Sequence, residues 1–413
     1  MTDYPSTLLV TLTGLDRPGV TSTLFDALAG HDVVVLDIEQ VVVRGTLVLG
    51  VLLGGPGAAG ATPTARTVAE SLGMAVAVSP GAAEVDPRRR GRAHVTLLGH
   101  PLRPAAVSAI AGRVAEAGGN IDRIVRLAHY PVTCIELEVS GAEPAVLRRV
   151  LATEAAAQRV DVAVQRSGLA RRAKRLVVMD VDSTLIQDEV IELLAAHAGC
   201  LDEVAAITAA AMRGELDFEA SLRARVALLA GLPERVLATV WSEVRLTPGA
   251  RTLVRTLKRL GFQVGIVSGG FTQVTDRLAA ELGLDHSAAN TLEVVDGRLT
   301  GRLVGPVVDR AGKAAALERF AAAAGVPVSQ TVAVGDGAND LDMLARAGLG
   351  VAFNAKPLVR EAADAAVSVP FLDTVLYLLG ISREEVEEAD AEAGLVTRSP
   401  DVPLPLHPAP PPR

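Results

Sequence analysis

Runs of apolar residues, alternating or continuous and separated by turn-forming clusters, divide the chain into three stretches. In the first, TLLVTL at residues 7–12 reads as a strand, and TGLDRPGVTS leads into an amphipathic helix around Ser22–Ala29. VVVLDIEQVVV and TLVLGVLL are two further strands, and GGPGAAGATPT is a flexible break. TARTVAESLG has the period of a helix, and AVAVSP closes the stretch as a short strand. The order β-α-β-β-α-β predicts a ferredoxin-like unit over residues 5–83. After the polar linker PGAAEVDPRRRGRA the pattern restarts over residues 93–166. HVTLLGHPL is a strand, a helix lies near Ala105–Ala117, GGNIDRIVRL and TCIELEVSG are strands, and the helix PAVLRRVLATEAAA precedes the strand VDVAVQ. Gly14, Leu36 and Asp37 match Gly99, Ile121 and Asp122 at a common offset of 85 residues, as in an internal duplication.

A third pattern follows the basic linker RSGLARRAKR. RLVVMD is continuously apolar, as in a strand buried on both faces of a parallel sheet. Helical stretches then alternate with FQVGIVSGG, TVAVGDG, LGVAFN and AAVSV, which predicts a doubly wound α/β domain over residues 174–386. Between Asp188 and Leu246 the pattern is helical throughout, so a helical cap is expected at about 188–246. From Glu384 an acidic helix tip gives way to SPDVPLPLHPAPPPR, and residues 387–413 are expected to be a disordered, Pro-rich tail.

Composition narrows the functional classes. A length of 413 residues fits two to four domains, and 49% hydrophobic residues suffice for packed cores. Aromatics at 3% argue against a base-stacking nucleic-acid module. A net charge of -8 excludes general attraction to polyanions, so a phosphate-bearing substrate must meet positive charge supplied locally. No nucleic-acid partner is expected. Cys134 and Cys200 stand far apart with no CxxC, which points away from zinc or a disulfide framework and towards a reduced cytoplasm. MTDYPSTLLV lacks the pattern of a signal peptide. The best uncharged window, Gly45 to Ala65, runs into GGPGAAGATPTA and cannot continue as a spanning helix, so no membrane partner is expected. The seven histidines show no metal-ligand spacing.

Three strand ends and one helix start carry candidate chemistry. Asp180 ends RLVVMD and Asp182 stands two residues on, and residues i and i+2 of a strand project to the same side. Two such carboxylates need a cation or a shared proton. Ser268, Gly269 and Gly270 follow a second apolar strand, where backbone N–H groups can approach an anion. Asp309-Arg310-Ala311-Gly312-Lys313 opens a helix with a lysine, and TVAVGDGAND places Asp336, Asn339 and Asp340 after a third strand. Singly, each reads as a turn or a solvated charge; together, in this order, packing does not explain them.

This set resembles the four motifs of the haloacid dehalogenase-like phosphatases, over residues 174–386. The resemblance implies Asp180 as nucleophile of an aspartyl-phosphate and Asp182 as general acid and base. It implies Ser268, Gly269 and Lys313 as phosphate-binding groups. It also implies Mg2+ held by Asp180, Asp336 and the main-chain carbonyl of Asp182, with Asn339 and Asp340 supporting the metal shell and orienting Lys313. DSTLIQDEVIELLA and ITAAAMRGELDFEASLRARVALL narrow the likeness to the phosphoserine phosphatase family. On their own, Glu189 is a first-turn helix acid, Arg225 a solvated helix residue, and Met212 and Phe218 core residues. The family likeness instead has Glu189 bind the substrate ammonium and Arg225 its carboxylate. Met212 and Phe218 become an apolar lid, and Asn339 a further substrate contact. The implied reaction is hydrolysis of O-phospho-L-serine, the last step of L-serine synthesis.

The N-terminal repeats resemble ACT domains, on Asp16-Arg17-Pro18-Gly19 after the first strand. The second copy has HPLRPAAVS there and lacks the Pro-Gly pair. That resemblance implies an effector site at Asp16 and Gly19, L-serine as its allosteric ligand, and a homodimer through the ACT modules. Two readings compete with the main one. The first is a related enzyme acting on another small phosphorylated amino acid or on phosphoserine in proteins. The second is a non-catalytic amino-acid sensor.

Overall fold

The computed structural model describes residues 6–81, 91–213 and 215–397. The chain divides into two compact units, residues 1–89 and 90–413.

The first unit contains β1 (Thr7–Leu15), α1 (Val20–Leu28), β2 (Val34–Val43), β3 (Thr46–Gly54), α2 (Ala61–Ser71) and β4 (Ala75–Pro80). Its sheet has the order β2-β3-β1-β4, with every pairing antiparallel. Strand alternation buries Val10 and Leu12 of β1 and Leu47, Leu49, Val51 and Leu53 of β3 against Leu24, Leu28 and Ala65 of the two helices. α2 starts at Ala61, so the ATPT expected within a flexible break forms its first turn. β2 is an edge strand exposed along its whole length.

The second unit opens with β5 (Ala93–Gly99), α3 (Pro104–Glu116), β6 (Asn120–Ala128), β7 (Thr133–Ser140), α4 (Pro144–Gln158) and β8 (Asp161–Arg166). These strands run β8-β5-β7-β6, the order of the first repeat. The duplication extends to packing. A Cβ on Gly14 would lie 2.8 Å from Met74 Cγ, just before β4, and one on Gly99 would lie 3.3 Å from Val160 Cγ1, just before β8.

Then come α5 (Leu169–Arg172), β9 (Leu176–Met179), α6 (Val190–Ala198), α7 (Leu201–Met212), α8 (Phe218–Ala227), α9 (Val236–Glu243) and α10 (Ala250–Arg259). The chain continues with β10 (Gln263–Phe271), α11 (Thr272–Leu282), β11 (His286–Val295), β12 (Arg298–Val304), α12 (Arg310–Ala323), β13 (Thr331–Gly335), α13 (Leu341–Arg346) and β14 (Gly350–Phe353). It ends with α14 (Pro357–Ala362), β15 (Ala365–Val367), α15 (Val375–Leu378) and α16 (Arg383–Glu392). β11, β10, β9, β13, β14 and β15 form a parallel sheet in that order. Its strands are buried on both faces: Val177, Met179, Ile266 and Val334 join one core, and Leu176, Val178, Val267 and Ala333 the other. The helical cap α6–α9 leaves and rejoins the core side by side, where Ile186 bridges Leu246 and Asp188 pairs with Arg245 at 2.6 Å.

Four features depart from the sequence expectation. The β11–β12 hairpin was not expected; its turn is Asp296-Gly297, with φ of 50° and 71°. The basic linker contains α5, and Arg171 there is buried against Glu136 of β7. The second repeat joins the parallel sheet through the antiparallel pair Ala365↔Ala163, giving one eleven-stranded sheet. The disordered tail expected from residue 387 is corrected. α16 runs to Glu392, because Asp390 is fully buried among Arg255, Arg259 and Thr397. The remaining tail expectation, residues 398–413, lies outside the described residues. None of the described helices is long and apolar enough to cross a membrane.

Candidate active site

The sheet reverses its direction of winding between β9 and β13, and a crevice opens at their carboxyl ends. Asp180 follows β9 and Asp336 follows β13; the Asp180 N–H donates to Val334 O at 2.9 Å, which fixes the two strand ends together. Lys313, in the first turn of α12, reaches this point fully buried. Its Nζ lies 2.7 Å from Asp180 Oδ1 and 2.7 Å from Asp340 Oδ1. The other Asp340 oxygen accepts the Gly337 N–H at 3.0 Å.

Charge is crowded here. Burial and the Asp340 carboxylate push Asp180 well above the usual carboxylate range, against the pull of Lys313. Burial and Asp340 also raise Asp336 to about 6, although the Thr184 hydroxyl donates to its Oδ1 at 3.1 Å. Burial opposes the charge on Lys313, but Asp180 and Asp340 overcome it and raise its pKa. Asp180, Asp336 and Asp340 offer oxygens all within 4.8 Å of one another. Three carboxylates around one ammonium leave surplus negative charge, and an all-oxygen donor set fits a hard divalent cation.

Asp182 is turned away from that cluster. Its Oδ1 accepts the Val190 N–H at 2.8 Å, at the amino end of α6, and its Oδ2 accepts from the Ser268 hydroxyl at 2.9 Å. Its side chain is thereby committed away from the Asp180, Asp336 and Asp340 oxygens. Burial raises its pKa, while the Val190 N–H and Ser268 act the other way.

The Ser268–Gly270 segment is held from both sides. The Gly270 N–H donates to Ser268 Oγ at 2.7 Å, and a Cβ on Gly270 would come within 2.9 Å of Asp182 Oδ2. A Cβ on Gly269 would sit 3.0 Å from the ring of Phe218, so Phe218 of the cap closes over this turn. Asn290, almost fully buried midway along β11, donates to Gly269 O at 2.8 Å and accepts the Val308 N–H at 2.7 Å. It therefore ties the serine turn to the segment that launches α12 and Lys313.

Glu189 accepts from the Ser183 hydroxyl at 2.7 Å, and Ser183 adopts a left-handed φ of 56° to reach it. Burial and the nearby Asp182 raise Glu189 to about 7. Arg225 of α8 lies half-buried in the cap, with Thr208 Oγ1 3.5 Å from its guanidinium. Burial lowers its pKa, while Glu189, Glu192 and Asp182 raise it, so the cap cation faces these acids. Met212 ends α7, and its side chain lies outside the described residues. Asn339 is half-buried in the turn beside Asp340. Asp16 and Gly19 belong to the first unit. Gly19, at φ 95°, caps α1 with no side chain in the way, and the Asp16 N–H donates to Gly45 O at 2.8 Å.

Thr184, Ser183 and Asn290 are site residues that the sequence did not single out. The first two adjoin the Asp180–Asp182 motif and were within reach of that reading. Asn290 gave no local signal.

Family models match three segments. Residues 177–345 match the haloacid dehalogenase-like hydrolases, and residues 6–79 and 92–165 each match an ACT domain. A phosphoserine phosphatase of Streptomyces coelicolor is 68% identical over 394 residues, covering 95% of this chain and 96% of that protein. A phosphoserine phosphatase of Mycobacterium tuberculosis is 55% identical over 390 residues, covering 93% and 95%. Among solved structures, a haloacid dehalogenase family hydrolase from Salmonella enterica serovar Typhi superposes with TM-score 0.61 at 28% identity, covering 70% of this chain and 98% of that one. The unliganded probable phosphoserine phosphatase of Vibrio cholerae gives TM-score 0.56 at 37% identity, covering 73% and 90%.

Proposed function

The chain belongs to the phosphoserine phosphatases of the haloacid dehalogenase-like hydrolases, and on that premise we propose that it converts O-phospho-L-serine to L-serine and phosphate in the cytoplasm, as the last step of L-serine synthesis. A carboxylate oxygen of Asp180 attacks phosphorus while Asp182 gives its proton to the departing serine oxygen, leaving an aspartyl-phosphate. Asp182, now a carboxylate, takes a proton from water as that water attacks phosphorus; phosphate leaves and Asp180 is restored. The raised pKa of Asp182 supports its protonated start. The Ser268 hydroxyl, the Gly269 N–H and the Lys313 ammonium hold the phosphoryl oxygens and balance their charge. Asp180, Asp336 and the Asp182 carbonyl would hold Mg2+, which supplies positive charge against the phosphoryl group when bound. Asp340 and Asn339 steady those ligands and Lys313, and Asn339 also borders the substrate.

Glu189 takes the substrate ammonium and Arg225 its carboxylate; an amino acid needs one anion and one cation at fixed places, and the mutual charge influence of Arg225, Glu189 and Asp182 supports this pairing. Phe218 and Met212 cover the bound ester. The observation that carries this reading is the division of labour between two neighbouring aspartates. Asp180 is paired with Lys313 at 2.7 Å, and Asp182 is turned to Ser268 at 2.9 Å. Phosphate release from a panel of small phosphomonoesters with Mg2+ tests it. Phosphoserine is expected to lead the panel, and Asp180→Asn to abolish turnover with the fold intact. Mg2+-dependent release surviving in Asp180→Asn removes the nucleophile assignment.

The ACT modules supply regulation in this proposal. L-Serine binds at the Asp16–Gly19 turn and feeds back on the enzyme, and two chains pair through these modules. The fully exposed edge strand β2 supports such pairing. L-Serine that neither slows turnover nor raises the melting temperature of the chain removes the feedback role.

A further inference from the structure

α4 and β8 of the second repeat do not close completely against α14 and β15 of the phosphatase core. Between them lies a cavity of about 680 Å³, continued by a smaller lobe of about 190 Å³ that shares Ala156, Val160, Asp161 and Arg360 with it. Side-chain size is the cause. α4 turns Ala145, Ala152 and Ala156 to this space, and the facing wall offers Pro357, Ala363 and Ala366, so nothing large fills the gap. The volume falls in the range of small-molecule sites, roughly 300–1,000 Å³.

The cavity is apolar in its floor and cationic at its rim. Across both lobes four arginines (148, 149, 159 and 360) meet three acids (161, 361 and 364). Two of the acids are already committed. Asp364 pairs with Arg148 at 2.7 Å and accepts the Gly350 N–H at 2.9 Å. Asp161 accepts the Ser368 N–H at 2.6 Å and faces Arg360 at 3.3 Å. Arg149 is exposed; its main-chain carbonyl accepts the Thr153 hydroxyl at 3.4 Å, and its guanidinium makes no hydrogen bond or ion pair among the described residues. In the smaller lobe the Ser368 Oγ is shut off from solvent with no hydrogen-bond partner.

We propose that this junction is a ligand site for an organic anion with an apolar body. The carboxylate, sulfonate or phosphate end rests on Arg149, and the hydrocarbon or aromatic body lies over Ala152, Ala156 and Val160. A free amino acid is too small to fill the space, so the ligand differs in class from both the substrate and L-serine. Its walls come from an ACT module and the catalytic core together, so an occupant bears on both.

The probe is 8-anilinonaphthalene-1-sulfonate, titrated by fluorescence into the full chain. A saturable component is expected. Ala152→Trp, which projects an indole into open space, should weaken it about tenfold or more, and Arg149→Glu about fivefold. The KM for phosphoserine should hold in both variants, which attests to an intact fold. The absence of a saturable component overturns the proposal. So does saturable binding that neither substitution alters, the result expected if the dye settles on the exposed strand Val34–Val43 instead. If Ala152→Trp does not fold, Arg149→Glu decides alone, and unchanged dye affinity in it overturns the proposal.

Discussion

Lys313→Met removes an ammonium and keeps most of the side-chain length, so it isolates the charge balance at the centre of the crevice. Lys313 is fully buried, with Nζ 2.7 Å from a carboxylate oxygen of Asp180 and 2.7 Å from one of Asp340. At that separation and an effective dielectric of about 20, Coulomb's law gives roughly 6 kcal/mol per contact. Desolvation of three buried charges consumes most of it. The substitution does not return that desolvation; it leaves two buried carboxylates facing each other. Stranding the partners of a buried ion pair costs about 3–5 kcal/mol. Protonation recovers a part, because burial and Asp340 already push Asp180 well above the carboxylate range. At about 2–4 °C per kcal/mol for a domain of this size, the expected fall in melting temperature is about 6–20 °C. The melt is run under chelation, since a bound cation would itself neutralise the carboxylates, and then with Mg2+, which should restore part of the loss. In turnover, one preorganised donor to the phosphoryl group is worth about 10²–10³ in kcat. A chelated variant melting within about 2 °C of the parent would refute the charge balance.

Asn290→Ala removes two buried hydrogen bonds and leaves Gly269 O and Val308 N–H unpaired, an expected loss of about 2–4 kcal/mol in urea unfolding. It should also weaken inhibition by inorganic phosphate; a lowered midpoint with unchanged phosphate inhibition would make Asn290 structural only. Asp390 is held down to about 2 by its arginine partners, against the cost of burial. Its stabilisation is therefore present above the unfolded value near 3.8 and is lost as pH falls towards 2. Asp390→Asn should be less stable by about 2 kcal/mol at neutral pH, with the gap closing from about pH 4 downward; equal gaps in urea midpoints at pH 7 and pH 3 would contradict this. Val41→Lys with Val43→Lys places charge on the exposed edge strand and should lower the solution mass if β2 joins two chains, whereas an unchanged mass in light scattering excludes that edge.

Asp180, Asp182, Ser268, Asp336 and the helix bearing Lys313 were legible because each sits at the end of a continuous apolar run or at a helix start, and those runs are the buried strands themselves. The residues that hold them were not. Asn290 earns its place through partners 21 and 18 positions away, and no local period marks it. Asp296-Gly297 did carry a hairpin signal, with apolar residues on either side, but strict alternation of strand and helix leaves no slot for a hairpin. Asp390 lies in EEVEEADAEAG, which reads as a solvated acidic face. Only the fold brings Arg255 and Arg259, 135 and 131 residues earlier, to bury it.

The two repeats show why a duplication can be read from sequence while its consequence cannot. The offset of 85 residues finds both copies, and both keep one strand order. What separates them is contact at long range. In the second copy Gln165 donates to Leu378 O at 2.6 Å, Asp161 accepts from Ser368, and Arg148 pairs with Asp364, all spanning about 200 residues or more. Leu98, Ala128, Cys134 and Ala163 then share one hydrophobic core with Met179, Val334 and Tyr377. The copy without the Pro-Gly pair is thus the one continuous with the parallel sheet. β8 is joined through β15 and β14 to β13, whose end carries Asp336. Its place in that sheet makes the second repeat part of the scaffold that holds the Asp336 strand, whether or not it binds an amino acid of its own.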